Sequence, residues 1–183
     1  MNTRKLGTNP AARLETGAAI LAAAKVVDTE LVRPRLSAYA LAHRRYAEAQ
    51  HQVEVADTRV REARVQLGRR DAEQDEAVEE LARALISDGQ PRGNPFAPFG
   101  TTPSAVKDLP AAAAAKAIHQ IVAAVQRHKP LSKMTLAATR AAEEAAQKVD
   151  AATLGVAKCN KPGTIAAVRV TTLGRVGKPP SPP

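Results

Sequence analysis

Tryptophan is absent from these 183 residues, and the bulky aromatics come to Tyr39, Tyr46, Phe96 and Phe99. A thick globular core is hard to fill without such side chains, so a chain of this kind buries a narrow seam between helices and is poorly suited to enclosing a large pocket. Cysteine is almost missing too. Cys159 stands alone, which excludes an intrachain disulfide and a cysteine metal cluster and fits a reducing compartment. No apolar run reaches the roughly 18 residues that a membrane span needs. The nearest approach, Gly17 to Ala24, follows Arg4 and Lys5 in the manner of a signal peptide, but Glu15 and Lys25 bracket it too closely. The expectation is a soluble chain, cytoplasmic or part of a particle assembled in the cytoplasm, and not secreted by the general route. Glycine-rich phosphate loops, a Walker-type lysine and a dinucleotide fingerprint are also missing.

What the chain has in quantity is alanine, about a fifth of its residues. Alanine is the strongest intrinsic helix former, yet each buried methyl contributes only about 0.8 kcal/mol. The formal net charge is +9, spread unevenly: residues 1–35 carry +3, residues 36–88 carry −3 and residues 89–183 carry +9. Such asymmetry suits a basic part that lies on nucleic acid, an anionic surface or an acidic protein.

The spacing predicts helices nearly throughout. Asn9-Pro10 supplies a cap and a tolerated first-turn proline, opening a helix to about Leu31, after which Pro34 either kinks one long helix or opens the next. Over 36–86 the apolar positions form a heptad repeat, with Tyr39, Tyr46, Val53, Val60 and Leu67 at one core position. Ala42, Ala49, Ala56 and Ala63 occupy the other. Past Leu67 the repeat slips: Asp71 and Gln74 fall where core residues are due, and the stripe resumes at Ala77, Val78, Leu81 and Leu85. An insertion of this kind is a stutter. Asp88-Gly89 then ends the helix with a residue suited to the left-handed cap. Some fifty residues at 1.5 Å each make a rod of roughly 75–80 Å, which must lie against something of similar length.

The same chain can supply that partner. A helix is expected from Pro110 to Lys129-Pro130 with Ile118, Ile121, Val122 and Val125 on one face. A further helix follows from Leu131 to about Lys158, its seam built of Ala138, Ala145 and Ala152. The expected fold is therefore all-α: a long antiparallel alanine-rich hairpin, 35–88 against 110–158, with an added N-terminal helix and an extended C-terminal tail. By domain, 1–9 is an arm, 10–158 the helical body with a loop at 89–109, and 159–183 a basic proline-rich tail in which Thr164 to Leu173 is β-prone.

A helical di-iron site needs Glu-x-x-His on two helices, and only Glu48 and His51 match, on the outward face. The acidic run Asp71, Glu73, Asp75, Glu76, Glu79 and Glu80 is spread around a helix and reads as a solvated face or a docking strip for a basic partner. Cys159 continues the alanine series and has no histidine near it in sequence. No catalytic residue, metal or cofactor is assigned. The residues singled out for partner binding are Phe96 and Phe99 in the loop, which read either as a cap on the open end of the hairpin or as a contact tip. Lys158, Lys161, Arg169, Arg175 and Lys178 of the tail join them. The functional expectation is a non-enzymatic structural or assembly protein, a helical rod that packs with copies of itself or with other subunits of a larger particle, as a phage, filament or scaffold component does. The alternative is a DNA-associated accessory protein whose basic C-terminal arm binds the phosphate backbone.

Overall fold

The computed structural model describes residues 9–27, 30–127 and 131–160. Among them the chain is mostly helical and contains no strand. The elements are α1 (Pro10–Ala23), a 3-10 turn (Glu30–Val32), α2 (Arg33–Ser87), a second 3-10 turn (Ala97–Phe99), α3 (Pro103–Lys107), α4 (Ala111–Val125) and α5 (Lys133–Cys159). The chain divides into two compact units, the first containing residues up to Thr58 and the second Arg59–Asn160, and the boundary falls inside α2.

Local chemistry accounts for the helix ends. The Asn9 side chain accepts from the Ala11 amide at 3.0 Å, with Pro10 as first helical residue. Thr102 accepts from the Ala105 amide at 3.0 Å to open α3, and Ser132 from the Thr135 amide at 3.1 Å to open α5. Pro34 opens a helix and kinks none: it lies in the first turn of α2, where its missing amide has no partner to lose. At the far end of α2, Gly89 takes φ +96°, and the Gln90 amide donates back to the Leu85 carbonyl at 2.9 Å, the bond that closes a left-handed helix cap.

In the first unit, Gly17 of α1 is buried against α2. A Cβ built there would lie 2.2 Å from His43 Cδ2, so only glycine allows this approach. The His43 ring donates from Nε2 to the Leu14 carbonyl at 3.0 Å, joining the two helices.

The second unit holds the core. Ala77, Val78, Leu81, Ala82, Ala84 and Leu85 of α2 pack with Ala114, Ala115, Ile118, Ile121, Val122 and Val125 of α4 and with Ala138, Ala142, Ala145, Ala146 and Val149 of α5. The expected second arm of a hairpin, 110–158, is not one arm: α4 and α5 pack against each other. The reason is the apolar face of α4, which needs cover of its own, and the alanine face of α5 admits a close neighbour.

The stripe on α2 divides in two. Full burial on this helix begins at Gln74. Of the predicted heptad positions, Tyr39 and Ala42 are exposed, and Tyr46, Ala49, Val53, Ala56, Val60, Ala63 and Leu67 are half-buried. Gln74, due at a core position from the spacing, is wholly enclosed, with neither its amide nitrogen nor its oxygen hydrogen bonded.

Candidate functional site

The segment between α2 and α4, expected as a loop, has its own structure. Asn94 organises it: its Oδ1 accepts from the Phe96 amide at 3.0 Å and its Nδ2 donates to the Thr101 carbonyl at 2.9 Å. Gly100 takes φ +71°, which closes the turn around the phenylalanines. Phe96 is wholly buried and meets the half-buried Phe99 edge to face, with centroids 6.2 Å apart. The Phe96 ring is thus a core residue, and of the pair only Phe99 reaches solvent. Lys158 is exposed near the end of α5. Lys161, Arg169, Arg175 and Lys178, together with the β-prone stretch, lie outside the described residues.

The acidic face of α2 is partly spoken for. Lys107 of α3 reaches Glu79 at 2.6 Å, and Arg70 reaches Glu73 at 2.7 Å along the same helix. The Lys107 ammonium holds the Glu79 carboxyl below its usual range, and Glu79 in turn raises Lys107. Asp75 goes the other way, its carboxyl raised by burial and by the negative charge of Asp71. Among the described residues no group of three or more His, Cys, Asp or Glu is placed to hold a metal ion, and Glu48 and His51 are both exposed.

Two polar constellations tie the helices of the second unit together. One joins the end of α2 to the start of α5. Asp88 Oδ2 accepts from the Ser132 amide at 3.1 Å, the Thr135 hydroxyl donates to the Ala84 carbonyl at 3.2 Å, and Thr139 donates to the Thr135 carbonyl at 2.6 Å. The polar groups of Thr135 and Ser132 clustered around it, the Ser132 amide among them, hold the Asp88 carboxyl below its usual range.

The other joins α4 to α5. His119 stands with Nδ1 3.0 Å from Glu143 Oε2 and Nε2 3.0 Å from Asp150 Oδ2. Gln147, between the two acids on α5, donates to the other Glu143 oxygen at 3.1 Å. The Glu143 hydrogen bond raises the imidazole's proton affinity, against burial and with further help from Asp150. A histidine next to a carboxylate is a familiar base in catalysis, but that role needs one ring nitrogen free to face a substrate, and here both are engaged. Sequence reasoning missed this cluster because it looked for Glu-x-x-His within one helix. The signal that was present is an acid pair seven residues apart, two turns on one face of α5; the histidine comes from another helix.

Beside these lies an open groove of about 420 Å³ lined by Glu80, Arg83 and Ala84 of α2 and by Met134, Ala137, Ala138 and Ala141 of α5. No helix among the described residues is long and apolar enough to cross a membrane. No family model, characterised protein or solved structure matches the chain.

Proposed function

We propose that this chain is a non-enzymatic structural or assembly protein, a long-helix subunit that associates with copies of itself or docks on a larger particle. The observation that carries this reading is the state of the heptad stripe on α2. From Tyr39 to Leu67 its large and small positions alternate as in a helix-pairing seam, yet none of them is fully buried. A regular seam with exposure left on it is a surface with room for a further helix. The engaged ring of His119 also favours a scaffold over a catalyst, since both of its nitrogens are taken up by carboxylates. Phe99 and the basic residues from Lys158 onward serve in this reading as contacts between subunits.

The test is light scattering coupled to size exclusion on the full chain across a wide concentration range. Discrete oligomers are expected, and they should dissociate when Val53 and Val60 are both replaced by Glu. A monomer at every concentration with no co-purifying partner overturns the reading.

The second reading is a DNA-associated accessory protein, favoured by the pI of about 10.1 and by a C-terminal stretch with Lys158, Lys161, Arg169, Arg175 and Lys178 and no acid. Duplex binding would then fall steeply with salt and vanish on removal of residues 158–183. Affinity unchanged by that truncation rejects it.

A further inference from the structure

We infer that His119 is a proton-operated latch between α4 and α5, closed while its ring is an imidazolium and loosened when the ring is neutral. The geometry of the ring is the ground for it. Each ring nitrogen lies 3.0 Å from a carboxylate oxygen, Nδ1 from Glu143 and Nε2 from Asp150. A carboxylate only accepts, so both nitrogens must donate, and only the protonated ring carries two N–H groups. Losing that proton leaves one nitrogen with a lone pair aimed at an oxygen anion, and the contact on that side turns from attraction to repulsion.

Among the described residues, the groups that act on the ring are the two acids of α5 and no third charge. From α5 it faces Glu143 and Asp150, with Gln147 bonded to Glu143 and holding that carboxylate in place. The other elements packed on α4 are α3 and the second half of α2: Lys107 of α3 is engaged by Glu79 of α2, and Arg70 of α2 by Glu73. The charges that act on the imidazole are Glu143 and Asp150, and both favour the protonated form. The latch also matters more here than in a core of large side chains. The face that α5 offers is Ala138, Ala142, Ala145, Ala146 and Val149, and methyl-sized contacts contribute little per residue.

The sign follows from the raised proton affinity of the folded ring. The latch's contribution is complete below the ordinary histidine value of 6.5 and is lost as pH rises through the higher folded value. The three side chains keep between 31% and 51% of their surface in water, so screening makes the effect graded. What the latch guards is the buried face of α4, Ile118, Ile121, Val122 and Val125, which becomes available as α4 loosens. The inference stands independently of the assembly reading, because it concerns how one chain holds two of its own helices.

The experiment is NMR on the full chain. The His119 ring should titrate above the ordinary histidine value with both nitrogens protonated at its acid end, and Asp150→Asn or Glu143→Gln should each move the midpoint down. Amide protection factors over 118–125 should fall about two- to fivefold between pH 6 and pH 8.5, the size expected of a partly exposed ion pair. His119→Gln, which keeps a donor and the polar surface, should abolish that fall. A ring that titrates at the ordinary value overturns the latch, as does a fall in α4 protection that survives in His119→Gln. Asp150→Asn gives the same test should the histidine variant fold poorly: a midpoint it leaves unmoved overturns the inference.

Discussion

Thr135 on α5 donates its hydroxyl to the Ala84 carbonyl of α2 at 3.2 Å, and both residues are fully enclosed. Because the Asp88 amide also donates to that carbonyl at 3.1 Å, the acceptor is not orphaned when the hydroxyl is lost. Thr135→Val keeps the shape and removes the bond, so a loss of about 1 kcal/mol is expected, with Thr135→Ser costing less. Urea unfolding midpoints of the two variants check this, and a valine variant as stable as the parent shows the bond contributes nothing.

The approach of α1 to α2 at Gly17 is a second point of leverage. A methyl at 17 would meet the His43 ring at 2.2 Å, so Gly17→Ala must displace the ring and break its bond to Leu14. Loss of α1 amide protection, with little change over 111–159, is the expected result. Gly155, in α5, meets nothing within 4 Å of a built Cβ. There Gly→Ala should stabilise by about 0.5–1 kcal/mol through the unfolded chain and helix propensity.

Gln74 is enclosed with both side-chain polar atoms unpaired. Burying an unbonded amide costs about 1–3 kcal/mol in proteins, so Gln74→Met, similar in length and flexible, should raise stability by about 1–2 kcal/mol. A lower thermal midpoint for the variant would mean that the amide has a bonded role.

Ala142 and Ala146 are fully buried where α5 enters the core. Leucine at either should cost about 1–3 kcal/mol by overpacking. At Ala141, on the groove and exposed, leucine has room and should be near neutral. Equal costs at 141 and 142 would show that the groove is occupied.

The Asp88 junction has an acid signature. Its carboxyl is held below the ordinary 3.8 by Thr135 and Ser132, so the ionised form is favoured in the folded state. The contribution is present above about pH 4 and lost as pH falls through the lower folded value. Asp88→Asn should flatten the drop in the urea midpoint between about pH 4 and pH 2, and an unchanged drop assigns it to other carboxylates.

Much of this was legible from spacing. The caps at Asn9-Pro10 and Asp88-Gly89 mark helix ends because capping involves neighbours within a turn, and Gln74 falls on a core position because the stutter can be counted. The fate of Phe96 was not legible: a Pro-Phe-Ala-Pro-Phe string reads equally as an exposed tip or a plug, and Asn94 decides it by bonding to Phe96 and Thr101. Nor was the fold of α4 onto α5, since a proline break at 130 permits helices in line or side by side.

By itself, the sequence determined that the described residues are mostly helical and where most of those helices begin and end. Those properties rest on contacts within four residues or so. Only the tertiary structure decided which part of the α2 stripe is sealed and which keeps exposure, that Gly17 must stay small, and that His119 meets two acids 24 and 31 residues away. Burial and charge pairing of that kind depend on which faces long-range packing brings together, and among so many alanine faces of similar apolarity the local pattern does not choose.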